Sequence, residues 1–275
     1  MVSYLITSNF TEEKINPHEL QLFTTKYYLG KTLSSGQFNA VASGHNKLTF
    51  KKVVIKAIYN PNMQKLREAS LLKKLQHVHG VITYYDHYYV KNTITLLVME
   101  YFGHMTLHSF LQMNGSISEH LSHKIFKQVL LTVKMCYHSN ILHRKLRASN
   151  ILLNIHTFEI KIINFNSACQ FDDYQTFTSQ LSHKNAPPEY FKFKKYSAEG
   201  LYVWSMGLLL YNMLFDYTPF DTPCDIVNAP VYIPETNKIS LDVKVFLKWL
   251  LKKDVSDRIT LNEMSFHPWI TKKWI

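Results

Sequence analysis

The sequence has few cysteines and no long hydrophobic run, and both features narrow the class of protein. Its three cysteines, Cys136, Cys169 and Cys224, are widely spaced and odd in number, which argues against a disulfide framework and against a zinc site. No run of about eighteen apolar residues is present, and the first residues lack the basic and apolar segments of a signal peptide. We therefore expect a protein of the cytoplasm or nucleus with no membrane partner.

Acidic residues are also scarce, with 20 Asp and Glu against 31 Lys and Arg, so the net charge is +11. The lysines form small scattered groups at residues 51–52, 73–74, 192–195, 252–253 and 272–273. This scatter favours solvated surfaces over a nucleic-acid site. A protein that binds nucleic acid through its charge remains the weakest of three alternatives for the function, and the other two are given below. The charge also indicates attraction to acidic partners.

The residue pattern changes near residue 103. Before it, the sequence predicts an antiparallel sheet with strands at 27–30, 38–41, 52–58, 82–89 and 93–99, and one helix at 66–75. After it, helical spacing dominates at 107–113, 118–138, 198–215, 241–251 and 261–266, with short strands at 151–153 and 160–162. We therefore predict an α+β fold with an N-terminal extension at 1–26, a mainly β lobe at 27–102 and a mainly helical lobe at 103–275.

One helix can be predicted in more detail from its amphipathic pattern. Lys244, Lys248 and Lys252 recur every four residues, which is typical of a solvated helix face. Phe246, Trp249 and Leu250 lie between them and are predicted to form the buried face.

Several short segments form motifs whose order and spacing can be compared with those of known families. Residues 143–150 read His-Arg-Lys-Leu-Arg-Ala-Ser-Asn, and residues 162–166 read Ile-Ile-Asn-Phe-Asn. The other informative segments are 27–30, 53–56, 136–144, 187–189, 203–207 and 257–269. From about Tyr27 to Trp269 the chain resembles a eukaryotic protein kinase and, within that superfamily, the Pim serine/threonine kinases. The resemblance implies a bilobal protein-kinase fold, the use of ATP and phosphoryl transfer to protein hydroxyl groups.

The chain departs from the family at the residues that handle the proton and the metal. The resemblance places Lys145 at the position of the catalytic aspartate and Asn164 at that of a magnesium-binding aspartate. Because an ammonium group has donors and no acceptor, Lys145 cannot act as the general base. Asn150 keeps one potential metal ligand, and Arg147 replaces the lysine that contacts the γ-phosphate. We therefore expect impaired catalysis.

The resemblance also carries over a nucleotide site. Lys56 would hold the α- and β-phosphates, oriented by an ion pair with Glu68. Residues 34–41 read Ser-Ser-Gly-Gln-Phe-Asn-Ala-Val and keep only the middle glycine of the phosphate-covering loop, so an ordinary hairpin turn is an equal alternative. Val54 adds bulk where the adenine ring would lie. The cofactor-binding residues carried over are Ser34, Gly36, Asn39, Val41, Val54, Lys56, Glu68, Glu100, Phe102, Leu152 and Asn164.

Replacing Asp by Lys and Asp by Asn changes the charge of the site by +2 and +1, which totals about three units. One hypothesis is that ATP binds without magnesium, with Lys56, Lys145 and Arg147 as counter-charges. The alternative is that Lys145 points to solvent or pairs with Asp172 or Asp173.

The residues that stabilise the kinase fold match the family pattern better than the residues that handle the proton and the metal. The resemblance implies a buried ion pair between Glu189 and Arg258, and core roles for His143 and Phe165. The segment between Asn164 and Glu189 carries hydroxyl groups that are candidates for phosphorylation, namely Tyr174, Thr176, Thr178, Ser179 and Ser182.

Two functions are therefore favoured over the nucleic-acid alternative. The first is a Pim-like pseudokinase that acts as a binding or regulatory module. The second is a weak or unorthodox ATP-dependent serine/threonine kinase that works by positioning, with Lys56, Glu68, Arg147 and Asn150.

Overall fold

The structure is a computed structural model that describes residues 16–36, 39–59, 67–91, 93–103, 105–172, 174–181, 185–235 and 238–274. The chain forms two compact units. The first contains the described residues up to His77 together with Ile82–Phe102, and the second contains Val78–Val81 and the chain from Gly103 onward. The predicted α+β class, with an antiparallel sheet in the first part and mostly helices in the second, is confirmed.

The first unit is built on one antiparallel sheet. Its strands are β1 (Tyr27–Ser35), β2 (Asn39–Asn46), β3 (Lys52–Tyr59), β4 (Tyr84–Lys91) and β5 (Ile94–Glu100), in the order β1-β2-β3-β5-β4. The β-branched residues of β3 favour an extended chain, and their alternation separates two faces. Val53 and Ile55 are buried on one face, and Lys56 lies on the other.

Each face of the sheet has its own helix. Helix α2 (Arg67–Lys74) carries Glu68 on its buried side. Helix α1 (Pro17–Lys26) lies within the predicted N-terminal extension, where the sequence showed no firm period. Asn16 caps it by accepting a hydrogen bond from the Glu19 amide at 3.3 Å, and Pro17 occupies the first turn.

Phe23 attaches α1 to the buried face of the sheet. It is 2% exposed and packs against Tyr27 and Tyr88, with ring centroids 5.9 and 5.5 Å apart. Lys26 pairs with Asp86 of β4 at 2.8 Å. The described part of the predicted extension is therefore packed into the core of the first unit.

The second unit is mainly helical. Its helices are α3 (Leu107–Asn114), α4 (Glu119–His138), α5 (Pro188–Phe193), α6 (Ala198–Phe215), α7 (Pro223–Asn228), α8 (Leu241–Leu250), α9 (Leu261–Met264) and α10 (Pro268–Thr271). Short strands join them: β6 (Met105–Thr106), β7 (Ile141–Leu142), β8 (Ile151–Leu153), β9 (Ile160–Ile162), β10 (Cys169–Gln170), β11 (Thr176–Phe177) and β12 (Tyr196–Ser197). The sheet β6-β8-β9 and the pair β7-β10 frame residues 143–150 and 163–168.

Helix α6 forms the centre of this unit. It begins at the cap Ser197, whose hydroxyl accepts a hydrogen bond from the Gly200 amide at 3.0 Å. Trp204, Met206 and Leu210 are fully buried, and a helix that is apolar on all sides is expected at the centre of a core. Among the described helices, none combines the length and hydropathy that crossing a bilayer requires.

The prediction for α8 was correct for Phe246 and Leu250, which are buried, and wrong for Trp249. Trp249 is 46% exposed, because it lies at the edge of the buried face, where its ring contacts only His267 among the described aromatic rings.

Candidate active site

In the first unit, the structure forms the ion pair predicted between β3 and α2. The Lys56 Nζ donates to Glu68 Oε1 and Oε2 at 3.0 and 2.8 Å. Both residues are buried, so each charge depends on the other to offset its loss of water. Val41 lies directly opposite Lys56 on β2, on the same face of the sheet. This face therefore presents a fixed cation beside apolar side chains.

The other residues predicted to contact a nucleotide in this unit surround that face. Val54 is partly buried and lies two residues before Lys56, on the same side of β3. Ser34 pairs with Val41, and the Gly36 amide donates to the Asn39 carbonyl at 2.7 Å, closing the β1–β2 hairpin. Residues 37 and 38, at the tip of the predicted phosphate-covering loop, lie outside the described residues.

Glu100 and Phe102 lie at the end of β5. The Glu100 carboxylate accepts hydrogen bonds from the Thr83 amide at 2.7 Å and from the Thr83 hydroxyl at 2.8 Å. This contact holds the end of β5 against the residue that precedes β4. Phe102 is half-buried. The side chain of Glu100 is thus a structural link between the end of β5 and Thr83.

In the second unit, His143 fixes the conformation of residues 143–150, which the resemblance identifies as the catalytic loop. Its Nδ1 accepts a hydrogen bond from the Lys145 amide at 3.2 Å, and its Nε2 donates to the Ile163 carbonyl at 3.0 Å. The ring packs edge-on against Phe165 with centroids 4.7 Å apart, which confirms the predicted core roles. Burial lowers the pKa of His143 to about 4, and the charge of Lys145 acts in the same direction.

Lys145 lies at the position that the resemblance gives to the catalytic aspartate. Its side chain is partly buried, and within the described ranges its Nζ forms no ion pair, so the alternative of a pair with Asp172 is not realised. Asp173 lies outside the described residues. Arg147, two residues on, is exposed. The loop therefore presents two cationic side chains and, between residues 143 and 150, no carboxylate.

Asn150 and Asn164 meet beside this loop. The Asn150 Nδ2 donates to the Lys145 carbonyl at 2.7 Å, and the Asn164 Nδ2 donates to Asn150 Oδ1 at 3.1 Å. Asn164 has φ 69° and ψ 61°, a left-handed conformation that asparagine tolerates better than most residues. Leu152, the remaining residue predicted to contact the nucleotide, is half-buried in β8 between Thr106 and Lys161.

Tyr202 is a positioning residue that sequence reasoning missed. Its hydroxyl donates to the Ile141 carbonyl at 2.9 Å and accepts from the His143 amide at 3.0 Å. The side chain is 2% exposed, and burial raises its pKa far above the ordinary value. Tyr202 therefore ties α6 to the chain that enters the catalytic loop. Its only sequence signal was its place directly before the recognised motif at 203–207.

Arg144 links the loop to the segment with the candidate phosphorylation sites. Its Nε donates to the Ser167 carbonyl, and its Nη1 donates to the Ser179 hydroxyl at 2.8 Å. The Ser179 hydroxyl also shares a hydrogen bond with the Tyr196 hydroxyl at 2.6 Å. Tyr174, Thr176 and Thr178 are exposed, and Ser182 lies outside the described residues.

The ion pair predicted between Glu189 and Arg258 is present and buried. Arg258 Nη1 and Nη2 donate to the two carboxylate oxygens at 3.0 and 2.9 Å, and Nη1 also donates to the Gly200 carbonyl at 3.0 Å. The bidentate geometry joins α5, α6 and the segment before α9.

Similarity to known proteins shows the family to which the chain belongs. The protein kinase domain model matches residues 27–270, so the chain belongs to the protein kinase family. The serine/threonine-protein kinase pim-2 of Danio rerio is 32% identical over 268 residues, which cover 90% of this chain and 86% of pim-2. The serine/threonine-protein kinase prk-2 of Caenorhabditis elegans is 28% identical over 91% of this chain. The match covers 59% of prk-2, less than two thirds of its length.

These similarities place the chain among the Pim-like serine/threonine kinases. Membership of this family implies that an active form of the protein would use ATP and act on protein substrates.

Proposed function

We propose that this Pim-like chain is a pseudokinase that acts in the cytoplasm or nucleus as a binding or regulatory module for a protein partner. The observation that carries the proposal is Lys145, an unpaired ammonium group among the described residues at the position of the catalytic acid. It cannot accept the proton of a substrate hydroxyl, and loss of a general base costs about 10²- to 10⁴-fold in rate.

The two preserved ion pairs indicate an intact fold, which supports a role as a binding or regulatory module. The pairs Lys56–Glu68 and Glu189–Arg258 are buried and fully formed. Breaking a buried pair of this kind costs about 3–5 kcal/mol, so a chain that keeps both keeps the stability of each unit. The acids that would handle the proton and the metal are replaced, while both of these ion pairs are kept.

A phosphotransfer assay tests the proposal. Radiolabelled ATP is incubated with the protein and a basic peptide, which is the substrate class that the Pim resemblance implies. We expect no labelling above that of Lys56→Met, the matched variant without the phosphate-binding lysine. Labelling by the wild type that Lys56→Met removes would contradict the proposal.

The alternative function is a weak serine/threonine kinase, and the intact Lys56–Glu68 pair is the observation that favours it. The double variant Lys145→Asp with Asn164→Asp restores both acids. It tests whether their loss alone prevents phosphotransfer or whether other changes in the chain prevent it as well. If labelling appears in this variant alone, the acids were the missing components. If the double variant stays silent, Val54 and the altered loop at 34–41 also prevent transfer.

The proposed cofactor behaviour is that ATP binds without magnesium, with Lys56, Lys145 and Arg147 as counter-charges. Thermal unfolding with increasing ATP, in EDTA and in magnesium, measures this directly. We expect an equal rise of Tm in both conditions. A rise that occurs only with magnesium would contradict the proposal.

The proposed partner is an acidic protein segment, because Lys145 and Arg147 attract carboxylates and repel basic peptides. Fluorescence anisotropy with an acidic and a basic peptide of equal length would compare them. We expect the acidic peptide to bind more tightly, and Arg147→Glu to weaken its binding. Salt-sensitive binding of a nucleic acid in a gel-shift assay would instead favour the third alternative.

A further inference from the structure

The two amide side chains beside the catalytic loop have only one consistent arrangement. Asn150 Nδ2 donates to the Lys145 carbonyl at 2.7 Å, so the Asn150 Oδ1 must face Asn164. A second oxygen at that point would oppose Oδ1 without a hydrogen between them. Asn164 therefore presents its Nδ2, and the contact of 3.1 Å is a hydrogen bond with a defined donor and acceptor.

This arrangement does not fit a magnesium ion. Magnesium binds oxygen ligands at about 2.0–2.1 Å, which places neighbouring ligands of an octahedron about 3 Å apart. Asn150 Oδ1 is such an oxygen, but the atom 3.1 Å from it is an amide nitrogen with no lone pair to offer. Among the described residues, no group of three or more His, Cys, Asp or Glu side chains could hold a metal ion.

The same hydrogen bond has a structural consequence. Asn150 ends a short 3-10 turn at Ala148–Asn150, and Asn164 follows β9 at the start of the 3-10 turn Phe165–Ser167. The Ile163 amide also donates to the Asn150 carbonyl at 2.9 Å, so side chain and backbone join the same two segments. An aspartate at position 164 would place two acceptor oxygens against each other, and a cation would be needed to hold them together.

We propose that the Asn164–Asn150 hydrogen bond replaces a metal ion as the link between the catalytic loop and the segment after β9, so that this site is ordered without magnesium. The inference deepens the proposed function, since it explains how a kinase site is retained as structure after its metal chemistry is lost. It also predicts that a single atom change, from amide to carboxylate at position 164, makes the stability of the protein depend on a divalent cation.

The experiment measures thermal unfolding of the full chain in EDTA, in magnesium and in manganese. We expect the wild type to have the same Tm in all three. Asn164→Asp keeps the shape of the side chain and its tolerance for the left-handed backbone. We expect this variant to lose about 2–4 °C or more in EDTA and to recover the loss when either metal is added.

Asn166→Asp is the matched control, because it introduces the same charge two residues away on an exposed side chain. We expect its Tm to be independent of metal. If Asn164→Asp is equally stable with and without metal, the hydrogen bond does not replace a cation and the proposal fails.

A second measurement is made on the wild type, and Asn150→Ala serves only to locate any binding that is found. Manganese is titrated into the wild type and followed by electron paramagnetic resonance. We expect no saturable binding of manganese at this site. Saturable binding to the wild type that is lost in Asn150→Ala would overturn the proposal. The two proposals fail separately: phosphotransfer that needs no metal would refute only the pseudokinase, and metal binding by a silent protein would refute only this inference.

Discussion

Acidification should destabilise this protein through His143. The ring is buried, its Nδ1 accepts a hydrogen bond from the Lys145 amide and its Nε2 donates to the Ile163 carbonyl. A second proton would have to be placed on Nδ1, where it would face the Lys145 N–H. The pKa of His143 is accordingly lowered from 6.5 to about 4, chiefly by burial.

The sign and size of the effect follow from linkage. The unfolded histidine takes up a proton near pH 6.5, while the folded one does so only near pH 4, so lowering the pH through this window favours the unfolded state. Between pH 7.5 and pH 5.5 the free energy of unfolding should fall by about 1.3 kcal/mol from this residue alone. Below pH 4 the contribution levels off.

Urea denaturation at several pH values measures the effect. His143→Gln retains a donor and an acceptor but cannot titrate. Between pH 7.5 and pH 5.5 its free energy of unfolding should therefore fall by about 1.3 kcal/mol less than that of the wild type. His45→Gln, at an exposed histidine, serves as the control and should follow the wild type. Identical pH dependence of wild type and His143→Gln would refute the reasoning.

Two further substitutions test the contacts that the sequence did not reveal. Tyr202→Phe should lower the free energy of unfolding by about 1–3 kcal/mol, because the buried His143 amide loses its acceptor. An unchanged denaturation midpoint and unchanged exchange of that amide with solvent would contradict the assigned role. Phe23→Ala should cost about 3–5 kcal/mol, whereas Leu22→Ala, at a side chain 47% exposed on the same helix, should cost little. Equal effects of these two changes would show that α1 is not part of the core.

Periodicity alone predicted the longer elements well. Helix α6 was predicted at 198–215 and has those ends, because its apolar residues and its Ser197 cap are both local features. The strand predicted at 38–41 is longer, and β2 continues to Asn46, because pairing with β3 extends a segment whose own residues are weak strand formers. Short strands such as β7 and β12 depend entirely on their partners in the fold.

The ends of helix α1 are marked in the sequence, although its interior is not. Asn16 and Pro17 mark a helix start, and Lys26 suits a helix end, but the apolar positions between them are too few to give a clear period. Only packing shows that Phe23 is buried against Tyr27 and Tyr88. Trp249 is the opposite case, since its helical spacing predicted burial and its surroundings leave it half exposed.

The order of residue types along the chain is enough to assign Lys145 and Asn164 to positions where the family carries acids, and Lys56 and Glu68 to the positions of an ion pair. Which side chains come into contact is instead a property of the folded chain. The hydrogen bonds from Asn164 to Asn150 and from the His143 amide to Tyr202 join residues 14 and 59 positions apart. Their formation depends on how the chain packs, which no local pattern encodes.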